Sequence, residues 1–384
     1  MVNMARRTVE KNISYDDVRK KYYVNLDYGM VDGKRIKKTE VFERKRDAKR
    51  RLTEFQHQKN NDDCVVPREE TLGEWLDYWL ENVVKVKNEV TTYESYKNII
   101  SYIKKDMGEI PIQKLTAKRC QQYYNDKISG ATGRKLSSNT VKKHHTLLKT
   151  ALKLAVRQDM IRKNPIEQVE TPKYVKPEIS YYTADEVRNL FKAVEGDMLL
   201  EPAVYLAALL GLRREEICGL KWTNVDFENR KLSVSEARTV ARSEVVEKDT
   251  KTQSSHRTLF IDDFLNEKLL EIKKQQEENR ETFGDRYYVS DYVAVDDLGK
   301  PINPGYLSSR FRKCIIANQL PHITLHGLRH SVASIANEAG VTMFNISKML
   351  GHSSPDVTGK VYTHLFDDTH KDTVSIVAAQ IEES

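Results

Sequence analysis

The sequence predicts a multidomain, mainly α-helical protein with small β-sheets: a small N-terminal sheet with one helix, a helical domain, and a larger mixed domain that is mostly helix. Three observations carry this. At 384 residues the chain is long enough for two to three separate cores. Apolar residues recur at helical spacing through the segments that follow Thr71. The patterning breaks at the polar stretch NNDDCVVPREE and again at TPKYVKPE, whose two prolines and lack of period mark a linker. The expected domains are therefore residues 1–62, 68–170 and 181–384, with a linker over 171–180.

In the first of these, KKYYVNLDYG and RIKKTEVFE read as strands around a turn, DYGMVDGK, and a charged helix follows from Arg46 to about Gln58. A three-stranded sheet with one helix is expected. Residues 1–60 hold 17 Lys and Arg against 9 Asp and Glu, an excess of +8 where the whole chain carries +7. So concentrated a basic module is the electrostatic footprint of a polyanion partner, DNA in particular. Lys37 and Lys38, with Tyr22 and Tyr23, are its candidate contacts, although alternating Tyr and Val also suits any half-buried strand.

The second domain opens with TLGEWLDYWLENVV, where Leu72, Trp75, Leu76, Trp79 and Leu80 form a core stripe. Helices are expected over TYESYKNIISYIKKDMG and TAKRCQQYYNDKIS, then from the cap SSNT through VKKHHTLLKTALKLAVRQDMI to the breaker Asn164-Pro165. Lys142, Lys143 and His144 give this last helix a basic first turn that suits phosphates, and a solvated face is an equally fair reading. In the third domain a small sheet is expected from KLSVSEARTV, SEVVEKD and HRTLFI, and near the end Val374, Val377, Ala378 and Ile381 make an amphipathic stripe.

Several classes are disfavoured. Cys64, Cys120, Cys218 and Cys314 lie far apart without C-x-x-C spacing, against both a disulfide framework and a zinc site. There is no apolar run of membrane length and no signal peptide at the start, so a bacterial cytoplasmic location without a membrane partner is expected.

The chemistry is carried by an ordered set. Arg213 lies in GLRREEICGLKW, Lys251 in DTKTQSSHRT, His326 and Arg329 in HGLRH, His352 in LGHSS and Tyr362 in KVYTHL. Attack on a phosphodiester builds a second negative charge on the non-bridging oxygens, and two guanidiniums, planar and charged at any working pH, suit it. A tyrosine is only about one part in a thousand phenolate at neutral pH, so it needs the clamp and a neighbouring base. Tyr362 is thus the candidate nucleophile, His326 its base, Lys251 the acid for the departing oxygen and His352 a phosphate-oxygen donor. Each has an ordinary reading: Tyr362 is one of 19 tyrosines, and Arg213 has an ion-pair partner in Glu216 one turn on. His326 and His330, at i and i+4, have the spacing of a metal pair but lack a third ligand. Neither metal nor cofactor is expected.

Taken together, these residues and their local strings resemble the tyrosine recombinases, the phage integrase family, over essentially the whole chain. The resemblance implies that Arg213 and Arg329 bind the scissile phosphate, with Glu216 steadying the pocket. It implies that Tyr362 forms a 3′-phosphotyrosyl link, that Lys251 protonates the 5′-oxygen and that His326 and His352 complete the site. It also implies an arm-binding domain over 1–62, a core-binding domain over 68–170, and a catalytic domain whose last helix docks on a neighbouring protomer. The implied partners are double-stranded DNA at the core and arm sites of attachment sequences and a homotetramer on synapsed DNA, with room for a DNA-bending protein and an excision factor. The arm domain favours an integrase of a phage or conjugative transposon. Two alternatives stay open: a type IB topoisomerase-like nicking and resealing enzyme, and a helix-turn-helix regulator built on SIANEAGVTMFNISKML.

Overall fold

The computed structural model describes residues 6–31, 33–61, 64–176, 180–241, 244–249 and 256–351. Lys251, His352, Tyr362 and the C-terminal stripe lie outside them. The chain divides into two compact units, Met1–Lys176 and Pro177–Ser384.

The first unit begins with an antiparallel meander of strands β1 (Arg7–Glu10), β2 (Ile13–Asp16), β3 (Lys21–Val31) and β4 (Lys34–Phe42), in that order across the sheet. Four strands stand where three were expected. The extra pair is only four residues a side and turns at Asn12 in the left-handed region (φ 67°), too short for alternation to announce it. Period-2 geometry sends Val24 and Leu26 to one face, where helix α1 (Lys45–Asn60) covers them with Ala48, Leu52 and Phe55. The opposite face is open. Tyr23 lies there beneath the Arg6 guanidinium, 3.6 Å above its ring. Lys37 pairs with Asp27 and Lys38 with Leu26, so the side chains of these exposed neighbours leave opposite sides of the sheet.

A second core in the same unit is helical. Thr71 and Glu74 close a reciprocal cap on α2 (Leu72–Trp79), which continues through a π-helical stretch, Leu80–Val84, into the single turn α3 (Lys85–Lys87). Then come α4 (Val90–Met107), α5 (Ala117–Ser129), capped by Thr116, and α6 (Ser138–Arg157), capped by Ser137. The stripe read from sequence is inside: Trp75 is 2% exposed, and its indole N–H donates to the Ala151 carbonyl at 3.1 Å. Lys142 and Lys143 reach the surface of α6, but His144 does not. It is 1% exposed and hydrogen-bonded through Nδ1 to the Tyr123 hydroxyl at 2.8 Å, which corrects its expected role as a phosphate contact. Residues 171–176, read as linker, are fastened to α6: Asn139 donates to the Val175 carbonyl and accepts from its N–H, while Lys142 sits over the Tyr174 ring.

The second unit is built on α8 (Leu200–Leu210), in which nine of 11 residues are buried, as befits a helix apolar on all sides. Around it lie α7 (Ala184–Val194), α9 (Arg214–Gly219), α10 (Asp263–Phe283), α11 (Pro304–Ala317), α12 (Leu325–Glu338) and α13 (Met343–Leu350). Between α9 and α10, strands β5 (Val225–Asp226), β6 (Lys231–Val234) and β9 (Arg257–Phe260) form one small sheet, and β7 (Glu236–Ala241) with β8 (Glu244–Asp249) a hairpin. KLSVSEARTV thus supplies two strands. The base of the hairpin is pinned by Arg238, which donates to the Ile302 carbonyl at 3.1 Å and lies over the Tyr292 ring.

Candidate functional site

The site forms where α8 ends. Gly211 caps that helix in the left-handed region (φ 64°), and a side chain there would collide with Leu350. Two residues later Arg213, still extended, stands at the N-terminus of α9. Its backbone N–H donates to Glu216 Oε2 at 2.8 Å and its Nη1 to Glu216 Oε1 at 2.7 Å. Arg329 comes from α12, started by the Thr324 cap, and lies inward at 2% exposure. Its Nη1 donates to the Gly211 carbonyl at 2.7 Å and its Nη2 to the Leu350 carbonyl at 2.6 Å.

Sequence reasoning passed over a third guanidinium. Arg257 opens β9 with its side chain 7% exposed and grips both Glu216 oxygens, Nη1 to Oε1 at 3.1 Å and Nη2 to Oε2 at 2.8 Å, while Nε donates to the Met349 carbonyl at 3.0 Å. The signal was there: Arg257, Leu259 and Ile261 alternate, and the latter two are core residues, so a charged side chain shares the buried face and must have a carboxylate to meet. As a result the last carbonyls of α13 are taken in succession, Met349 by Arg257, Leu350 by Arg329 and Gly351 by Arg213 Nη2 at 3.2 Å. A helix C-terminus leaves such carbonyls unsatisfied and carries negative partial charge, so cations belong there.

Glu216, 4% exposed, accepts four hydrogen bonds from the two arginines. Burial alone would push its carboxyl up, but Arg257 and then Arg213 hold it below the usual carboxylate range. Arg213, its side chain one-third exposed, commits two guanidinium donors, to Glu216 and Gly351, and leaves three uncommitted among the described residues.

His326, on the first turn of α12, is exposed, with its ring edge-on to that of His330 at 4.9 Å. Lost hydration, then Arg329 and Arg213, hold it below the ordinary histidine range, while Glu215 pulls the other way. Burial takes His330 to about 4. Both are neutral at pH 7, so His326 can accept a proton. Beside it opens a cavity of about 490 Å³ lined by Arg214, Glu215, Ser308, Arg312 and His322. No group of three or more metal-ligating side chains occurs among the described residues, and none of their helices is long and apolar enough to cross a membrane.

Arg213, Glu216, His326 and Arg329, far apart in sequence, are thus brought together. Lys37, Lys38, Lys142 and Lys143 belong to the other unit.

Residues 180–369 match the phage integrase family and residues 71–128 the phage integrase N-terminal SAM-like domain. A tyrosine recombinase XerC-like protein of Caldanaerobacter subterraneus is 28% identical over 379 residues, spanning 92% of this chain and 95% of its own. The ICEBs1 integrase of Bacillus subtilis is 24% identical, spanning 91% and 95%. Among solved structures, the Tn1549 transposon integrase in complex with transposon right end DNA superposes with a TM-score of 0.67 at 20% identity, covering 80% of this chain and 99% of that one. A lambda integrase tetramer bound to a Holliday junction gives 0.55 at 19%, covering 91% and 97%. At these identities the structural likeness concerns the fold.

Proposed function

This chain belongs to the phage integrase family and is a tyrosine site-specific recombinase; from that premise we propose that it integrates and excises a mobile genetic element by cutting and rejoining DNA through a 3′-phosphotyrosyl intermediate. One observation carries the reading: two guanidiniums from distant segments, Arg213 and Arg329, are fixed by hydrogen bonds beside a neutral histidine, and among the described residues Arg213 keeps donors to spare.

In this reading the scissile phosphate takes up Arg213 and Arg329, which meet the charge that grows on its non-bridging oxygens. His326 accepts the Tyr362 proton as the phenolate oxygen attacks phosphorus, and Lys251 delivers a proton to the departing 5′-oxygen. His352 donates to a phosphate oxygen. The bond energy is kept in the phosphotyrosine, so the 5′-hydroxyl of a second duplex can reverse the step. Glu216 holds Arg213 at its post. The basic open face of the N-terminal sheet, with Lys37, suits arm DNA, and Lys142 and Lys143 suit core-site phosphates. The working assembly in this reading is a homotetramer on two synapsed duplexes; a lambda integrase tetramer bound to a Holliday junction supports it. A regulator built on α12 and α13 is disfavoured, because α12 buries Leu328, Arg329, Ser331 and Val332 in its own unit.

The test is a nicked duplex library incubated with the full chain, with chelator and without ATP, and read on a denaturing gel. A covalent adduct that vanishes in Tyr362→Phe, with DNA binding kept, is expected. Good binding without an adduct on a trapped cognate site would overturn the reading, and cleavage without exchange between two duplexes would point to a topoisomerase.

A further inference from the structure

We propose that Arg257 is a positioning residue for strand cleavage, which sets the place of Arg213 by engaging both oxygens of Glu216 and holding the last turn of α13. The inference rests on the phosphotyrosyl reading above. Two contacts define the place of Arg213, Glu216 Oε1 and the Gly351 carbonyl, and Arg257 governs both. It shares the carboxylate, touching each oxygen, and it binds the Met349 carbonyl two residues before Gly351.

The physical consequence is specific. With Arg257 absent, a carboxylate that is 4% exposed keeps a single cationic partner, and attraction in so poorly hydrated a place draws Arg213 further onto it. Donors that should meet phosphate are then spent on Glu216. The end of α13 also loses the donor at Met349, so the carbonyl on which Arg213 rests is less well fixed. Arg257 uses Nε, Nη1 and Nη2 at once, a planar fork that a lysine ammonium, a point donor on a flexible stem, cannot reproduce.

The experiment compares single-turnover cleavage of a nicked duplex by the full chain, Arg257→Ala, Arg257→Lys, Glu216→Gln and the double variant Arg257→Ala with Glu216→Gln, with DNA affinity and melting temperature measured beside each. Cleavage by Arg257→Ala and Arg257→Lys should fall about 100-fold, the scale of a misplaced catalytic group, while affinity stays within a few fold. Added guanidinium chloride at millimolar concentration should restore part of the rate to Arg257→Ala. The double variant should cleave no more slowly than Arg257→Ala alone, because the neutral amide brought in by Glu216→Gln no longer captures Arg213. A rate near wild type in Arg257→Lys, losses that multiply in the double variant, or cleavage and affinity falling together would overturn the proposal. If Arg257→Ala does not fold, Arg257→Lys, which keeps the buried charge, decides the matter by the same split between rate and affinity. Adduct formation by the wild-type chain, lost in Tyr362→Phe, tests the underlying reading separately.

Discussion

Each unit of the molecule buries a cluster of charge, and the two clusters differ in whether the charge is closed. In the helical core of the first unit Lys127 meets Asp106 at 2.7 Å, the two side chains 3% and 9% exposed, with Lys127 also facing the rings of Tyr102 and Tyr123. One cation answers one anion under packed aromatics. In the second unit Arg213 and Arg257 share one carboxylate, Glu216, while their remaining bonds and those of Arg329 go to the carbonyls of Gly211, Met349, Leu350 and Gly351. A closed pair leaves no charge over, whereas a cluster weighted toward cations and open to solvent at Arg213 suits an anion, as the proposed function requires.

Breaking the open cluster should give the largest effect on chemistry. Arg213→Ala is expected to slow cleavage by about 10²–10³-fold with little loss of stability, because the side chain is one-third exposed. Arg329→Ala should slow cleavage as much and also destabilise the unit, since it strands the buried carbonyls of Gly211 and Leu350. Single-turnover rates and urea melts would separate the two, and equal melting behaviour would refute the structural half of the contrast.

Breaking the closed pair should do the reverse. Lys127→Met leaves Asp106 as a buried unpaired carboxylate and should cost about 3–5 kcal/mol in urea denaturation, while adding Asp106→Leu should recover most of that. If the single variant is as stable as the double, the pair is less dry than its exposure implies.

A third effect is pH-dependent and belongs to the same core. Burial lowers His144 to about 4 from an ordinary 6.5, so between these values the unfolded chain takes up a proton that the folded chain refuses. Stability is whole above about pH 6.5 and is lost as pH falls toward 4, by about 3 kcal/mol from this residue. Urea midpoints at pH 7.5 and 5 should diverge, and His144→Gln should narrow the gap. Glu216 acts in the same direction at lower pH: its depressed carboxyl contributes stability that disappears as acid protonates it.

The smallest effect concerns the N-terminal sheet. Lys37→Ala should lower arm-DNA affinity modestly and reduce the slope of affinity against salt by about one unit, while Lys38→Ala, on the helix-covered side, should change it less. Equal slopes would put both lysines on the same DNA.

These contrasts also explain what sequence could and could not reveal. Trp75, Leu76 and Trp79 were legible as core because helical period and burial coincide over many residues. Arg213, Glu216, His326 and Arg329 were singled out because their residue types and order suit one chemistry, and the structure brings them together. The first hairpin was lost because four-residue strands hold too few alternations, and His144 was misread because a histidine in a basic first turn gives no local sign that Tyr123 waits for it across the core. Arg257 was missed for a related reason: the alternation places it on a buried face, but its partners, Glu216 41 residues away and the Met349 carbonyl, are encoded in no local string.

The most direct measurement replaces the scissile phosphate of a trapped duplex with an uncharged methylphosphonate and compares cleavage by the wild type and Arg213→Ala. If the cluster exists to meet the charge of that phosphate, the variant's large deficit on the natural ester should shrink by at least tenfold on the neutral one. An undiminished deficit on both substrates would contradict the account and make Arg213 a structural residue.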